Sequence, residues 1–212
     1  MPSWGKAEFK QLRELREKLG KIENIELDKF CDHMSKKLAA MLISLAVKRT
    51  PVGVKPELTG EKFVTAVGKS GEKKKFLSAE AARLEQYWGS YTGGTLRRGW
   101  TSETEEQAKS GKGSPTASQI SEYAKNLSVQ KSGGHYIIRI INPVKYASYV
   151  EYGHRQTPGR YVPALGKQLK KGWVNGRYMM RYSEADLKKK TPEIVQRELE
   201  KFLKEAFGGG EN

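Results

Sequence analysis

The chain has 212 residues, enough for one domain with an appendage and a core of its own, yet it is only 37% hydrophobic and 30% charged. No run of about 18 apolar residues is present, so no segment is expected to span a bilayer, and the opening MPSWGKAEFKQLREL does not read as a signal peptide. A net charge of +15 directs attention to anionic partners.

Phe9, Leu12, Leu15 and Leu19 predict a first helix over about Lys6–Leu19, closed by Gly20. A stronger helix is expected from about Asp28 to Arg49. Phe30, Met34, Leu38, Met41, Leu42 and Leu45 form one apolar stripe, with Asp28 as N-cap. Thr50-Pro51 ends it, because the residue before proline avoids the helical region. Cys31, the single cysteine, lies on the apolar side and reads as a packed thiol in a reducing compartment.

Residues 53–94 lose this regularity and read as an insertion, with scattered glycines, the Lys73–Lys75 run and one short helix over Ser78–Trp88 capped by Ser78. Leu96 to Trp100 is expected to open a strand, and Ser110–Thr116 to form a turn or loose loop. Ser118–Val129 and Tyr136–Asn142 then frame a hairpin around Lys131–Gly134, YIIRIIN being the clearest strand.

Asn142-Pro143 opens a short helix that brings Tyr146, Tyr149, Val150 and Gly153 to a common side. Residues 153–177 follow as an extended basic arm of little periodicity, the kind of long connection that is usually functional. Helical spacing returns over about Tyr178–Leu187 and again over Thr191–Phe207, with Thr191 as cap and Pro192 in the first turn. Residues 208–212 form a flexible tail. The expected fold is a single α+β domain over 1–212. A small antiparallel sheet is flanked by a long N-terminal-half helix and a C-terminal amphipathic helix, with extended loops or arms.

The positive charge is unevenly placed. Gly153–Ser183 holds seven cations, Arg155, Arg160, Lys167, Lys170, Lys171, Arg177 and Arg181, and no carboxylate. Such a block suits an anionic surface, either DNA or an acidic protein neighbour. Tyr161, Trp173 and Tyr178 are interleaved with it and suit base stacking. No helix-turn-helix, ribonucleoprotein motif or zinc-finger spacing accompanies them, so any DNA contact is expected to be with the backbone.

Nothing in the sequence points to catalysis. His33, His135 and His154 are far apart, without metal-pair spacing, and no GxSxG, HExxH or paired-carboxylate pattern occurs. Glu151, the one acid between Glu122 and Glu184, reads as a structural ion-pair partner for Arg155 one helical turn away. Gly93-Gly94 lacks the spacing of a phosphate loop. No enzyme, cofactor or metal is expected.

Four blocks together carry a resemblance: Arg49–Val52 RTPV, Thr92–Trp100 TGGTLRRGW, Tyr146–Arg155 YASYVEYGHR and, more loosely, Trp173–Tyr182 WVNGRYMMRY. Their order is similar to that of the tail-component family of tailed bacteriophages, small neck proteins of the tail-completion or head–tail joining kind. The resemblance implies a compact α+β domain without a catalytic site. It implies a homo-oligomeric ring, a hexamer or dodecamer, made in the host bacterial cytoplasm and built into the virion neck. Connector, adaptor or stopper proteins would meet one side and tail-tube or terminator proteins the other, with backbone contacts to channel DNA and no membrane. The chain departs from the pattern between Val52 and Thr92, where the family's two motifs stand close together and about 40 residues intervene here.

Ring interfaces are head-to-tail, and aromatic residues and arginine anchor them. Leu96, Arg97, Arg98, Trp100, Tyr146, Tyr149, Glu151, Tyr152, His154 and Arg155 are therefore the candidate interface, although Tyr146 and Tyr149 suit a core equally well. Arg160, Lys167, Lys170, Lys171, Arg177 and Arg181 are the candidate contacts to DNA or an acidic partner. A tail terminator or other minor tail protein is the competing reading within the same class. A DNA-binding module without sequence preference is the competitor from another.

Overall fold

The computed structural model describes residues 26–208; the helix expected over Lys6–Leu19 and the tail after Gly208 lie outside them. The architecture is α+β, with small two-stranded antiparallel sheets between helices in sequence. Two compact units emerge. Among the described residues one comprises 26–45, Thr116–Ile141 and 181–208, the other Ala46–Pro115 and Asn142–Met180.

Helix α1 (Leu27–Arg49) belongs to the first unit up to Leu45 and to the second from Ala46. Its most buried positions are Met34, Ala39, Ile43, Ala46 and Val47, so the small residues Ala39 and Ala46 lie deep while the larger Leu38, Met41, Leu42 and Leu45 are only half covered. Alanine lets neighbouring backbone approach closely, which an apolar-spacing argument does not register. Asp28 lies inside the first turn of α1 and is not its cap. Its carboxylate instead accepts Lys131 Nζ at 2.7 Å and the Tyr136 hydroxyl.

Three further expectations are corrected. Ser118–Val129 is not a strand. Thr116 and Gln119 form a capping box that starts a helix over Ala117–Asn126, since side chain and backbone reciprocally satisfy donors at the helix start. That helix is α5, the fifth among the described residues. YIIRIIN contributes only Tyr136 and Ile137 to a ladder, because β3 (Gln130–Ser132) offers β4 (His135–Ile137) just three partners. The C-terminal helix, α7 (Met179–Gly208), is continuous through Pro192. Thr191 does not cap a second segment; its hydroxyl donates to the Leu187 carbonyl at 2.8 Å, one turn back. Phe30 and Phe202 lie with ring centroids 5.0 Å apart, and Lys37 pairs with Glu198 at 2.9 Å.

The second unit carries β1 (Phe63–Val67) and β2 (Lys73–Leu77), an antiparallel ribbon in register Phe63↔Leu77 to Val67↔Lys73. It is followed by α2 (Ala79–Trp88), with Ser78 as the N-cap as expected. Leu96–Trp100 is not a strand. Gly94, at φ 73°, turns the chain into the single-turn helix α3 (Thr95–Arg98), extended by a 3-10 turn over Gly99–Thr101. Helix α4 (Glu105–Ser110) begins at a second capping box, Thr104 with Gln107. Helix α6 (Ala147–Tyr152) leads into the arm. There β5 (Gly153–Arg155) pairs with β8 (Trp173–Asn175), and β6 (Tyr161–Val162) with β7 (Lys167–Gln168), one hairpin nested within the other.

Candidate docking surface

Two of the sequence blocks meet at Thr50. This buried residue ends α1 by donating its hydroxyl to the Ala46 carbonyl at 2.7 Å, and the same oxygen accepts the indole N–H of Trp100 at 2.7 Å. Arg97 Nε donates to the Thr50 carbonyl, also at 2.7 Å. RTPV thus positions TGGTLRRGW. Arg98 is buried, 7% exposed, and no carboxylate among the described residues pairs with it. Its guanidinium donates instead to the carbonyls of Gly93 and Ala108 at 2.7 Å and of Gly113 at 2.8 Å. Burial lowers its pKa from the ordinary arginine value, but a guanidinium keeps its proton in proteins, and the carbonyl cage answers the charge.

The stretch leading into the third block is fastened to the second. Asn142 Nδ2 donates to the Leu96 carbonyl at 2.9 Å, while its Oδ1 accepts the Val144 N–H at 3.2 Å. Asn142 packs so closely that no Cβ fits at Gly99. Beyond it, α6 ends at Gly153, whose φ of 85° reverses the chain into β5. That turn takes Arg155 off the helix, so the expected Glu151–Arg155 pair does not form and Arg155 is exposed. Glu151 is buried, and one of its carboxylate oxygens accepts the Met180 N–H at 3.0 Å. It thereby caps the first turn of α7 from another element, where a negative charge complements the helix dipole. The Arg177 N–H donates to the Val150 carbonyl at 2.7 Å and the Tyr178 N–H to that of Glu151 at 3.0 Å. Gly153 and Gly176 face one another at this root, and a Cβ on either would strike the opposite backbone.

At the other end, the arm is held by the stretch read as an insertion. Trp88, at the close of α2, donates its indole N–H to the Ala164 carbonyl at 2.7 Å. Gly166, at φ 61°, leaves no space for a Cβ beside the Arg83 guanidinium. Spacing arguments missed this clasp, because Trp88, Arg83 and Gly166 belong to segments 76 or more residues apart in the pairing of Trp88 with Ala164. The signal available was a tryptophan at the end of a short helix.

The candidate interface residues divide by exposure. Leu96, Arg98 and Trp100 are in the core of their unit, Glu151 is buried at the arm root, and Arg97 is half-buried on Thr50. Tyr146, Tyr149 and Tyr152 are exposed, at 42%, 58% and 66%. His154 is half-buried, with its ring centroid 5.6 Å from that of Tyr149. Tyr161 and Trp173 add exposed aromatic surface on the arm. Arg160, Lys167, Lys170, Lys171 and Arg177 are all exposed, and none has an ion-pair partner among the described residues; Arg181 falls in α7, outside the arm. Among the described residues no cluster of His, Cys, Asp or Glu could hold a metal ion. No helix there is long and apolar enough to cross a membrane.

The model of the HK97-gp10-like family, described as "Bacteriophage HK97-gp10, putative tail-component", matches residues 13–153. The chain belongs to this family. Searches of curated proteins and of solved structures gave no match. As a member of the HK97-gp10-like family the chain is a structural component of a phage tail or neck. It takes its place in the virion beside other virion proteins, and the family is one of structural tail components. The matched stretch holds RTPV, TGGTLRRGW and the helix of YASYVEYGHR, and it ends at Gly153. The arm and α7, including Trp173–Tyr182, lie beyond it.

Proposed function

We propose that the protein is a head–tail joining, or tail-completion, component that forms a ring in the phage neck, docking its neighbours through α6 and the arm. The observation that carries this reading is the exposed aromatic run Tyr149, Tyr152, Tyr161 and Trp173 on a root fastened by Glu151 and the Gly153–Gly176 apposition. Large aromatics held on a rigid base are the residues that anchor protein interfaces, since they bury much area with little loss of side-chain entropy. Leu96, Arg98 and Trp100 support the surface from within. Light scattering on the purified chain, alone and with connector and tail proteins of the same phage, tests the proposal. A ring of fixed mass, or a mixed complex lost in Tyr149→Ala/Tyr152→Ala, supports it. A monomer indifferent to those partners overturns it.

The unpaired cations of the arm favour a second role in the same setting, contact with DNA phosphates in the channel. Affinity for duplex DNA that falls steeply with salt would support it, because phosphate contacts release counterions. Salt-independent retention would not.

A further inference from the structure

The β1–β2 ribbon has two unequal edges. The Ser78 N–H donates to the Lys62 carbonyl and the Gly68 N–H to the Glu72 carbonyl, at 2.9 and 2.8 Å. With the register Val64↔Phe76 and Ala66↔Lys74, the even-numbered residues of β1 bond inward. The N–H and C=O groups of Phe63, Thr65 and Val67 therefore point away from β2, and they meet no partner among the described residues. All ten ribbon residues are exposed. An edge of this kind is a template for another strand unless it is guarded, and lysine is a common guard. β2 is guarded by Lys73, Lys74 and Lys75, whereas β1, FVTAV, has no charge, no proline and no glycine. A two-stranded ribbon is moreover at best marginally stable by itself in water.

We propose that β1 is a strand-addition site whose occupant is β1 of a second copy, antiparallel and centred on Thr65. In that register the outward residues meet outward residues: Phe63 opposes Val67, and Thr65 opposes Thr65. The backbone bonds are then reciprocal across a local two-fold axis. Phe63 and Val67 extend the apolar pairing of Phe63 with Leu77 on one face, and Val64 with Ala66 extends that of Val64 with Phe76 on the other. The absence of charge on β1 is what selects a like strand. An acidic partner strand would choose the lysines of β2. In the resulting four-stranded sheet the two β2 strands lie about 14 Å apart, beyond the Debye length of about 8 Å at physiological salt, so their lysines do not oppose pairing. The seam does not depend on the ring proposed above and would join copies in a different way.

Disulfide trapping tests it. Thr65→Cys and Lys75→Cys are each made in a Cys31→Ser background and oxidised in the purified protein. At the two-fold axis the Thr65 Cα atoms would be about 5.5 Å apart, within disulfide reach, whereas the Lys75 positions would not. Covalent dimer from Thr65→Cys alone is the expected result. No dimer from Thr65→Cys, or equal trapping by both variants, overturns the seam, the former also being what a strand from another virion protein would give. Thr65→Lys, with circular dichroism unchanged from wild type, should lose two-fold association in light scattering. An unchanged mass distribution would also sink the idea. The ring reading fails separately: trapping without any ring leaves the seam standing, and a ring without trapping leaves the ring.

Discussion

Glu151 accepts the N–H of Met180 at 3.0 Å, so the one acid in a long basic stretch is buried at the foot of α7 and works as that helix's cap. The arm between them is consequently closed at its base by a charge-assisted bond and by the two backbone bonds from Arg177 and Tyr178. Its rigidity at the root belongs to Glu151 as much as to the β5–β8 ladder.

Glu151→Ala should destabilise the protein by about 1–2 kcal/mol, the usual range for a lost helix cap. Glu151→Gln, which keeps an acceptor, should lose less. Urea denaturation of the three proteins measures the order, and hydrogen exchange should show the extra opening at Arg177–Met180. Equal stability of all three would remove Glu151 from this role.

Thr50 and Trp100 should behave as one unit. Thr50→Val leaves a buried indole N–H without its acceptor, at about 1–3 kcal/mol, and Trp100→Ala should cost about 3–5 kcal/mol through the cavity it creates. A double-mutant cycle with Trp100→Phe, which deletes the donor but keeps most of the ring, should return a coupling well above the additivity error of about 0.5 kcal/mol. Strict additivity would mean that the bond contributes nothing.

Gly153→Ala and Gly176→Ala should each open the arm root. Gly153 combines a left-handed φ with a facing backbone, so about 1–3 kcal/mol of strain is expected there, with chain displacement in addition. Faster hydrogen exchange at the Arg177 and Tyr178 amides, which bond across the root, should report the change. Gly159→Ala is an informative contrast: its φ is also positive, at 83°, but no atom stands in the way. It should cost less.

Asp28 should make a pH-dependent contribution to the first unit. Bonds from Lys131 and Tyr136 hold its carboxyl below the usual aspartate value. A depressed folded pKa stabilises above the unfolded value of about 4, and that contribution is lost as pH falls through the folded one. The gap in melting temperature between wild type and Asp28→Asn should therefore be full at pH 6 and close towards pH 3. The same contact pushes the Tyr136 hydroxyl up to about 12. In alkali its contribution should persist past pH 10 and vanish as the phenolate forms, which absorbance near 295 nm follows. A gap that does not change with acid would contradict the assignment.

Much of the helical framework was legible in the sequence. The α1 span, the Ser78 cap and the end of α1 at Thr50-Pro51 rest on local chemistry, where a residue and its near neighbours decide the outcome. Other failures have a common cause. Thr116 with Gln119 was a readable helix start, but the isoleucines of YIIRIIN made a hairpin partner seem necessary. Pro192 read as a first-turn residue because its cost of about 3 kcal/mol inside a helix is offset by packing invisible in spacing. Leu96 and Trp100 read as surface because burial depends on Thr50 and Asn142, distant in the chain. Arg98 is the sharpest case: an arginine among glycines looks like a solvent-exposed contact until three carbonyls close around it.

The hold of Trp88 on Ala164 links the evolutionary fates of two stretches. A relative that shortens the segment between Val52 and Thr92 discards the tryptophan that receives the arm tip, and Arg83 with it. Its arm must then be trimmed or secured elsewhere. Length changes at these two loci are expected to arise in pairs, so a short first segment beside a full-length arm would be the rare combination among its kin.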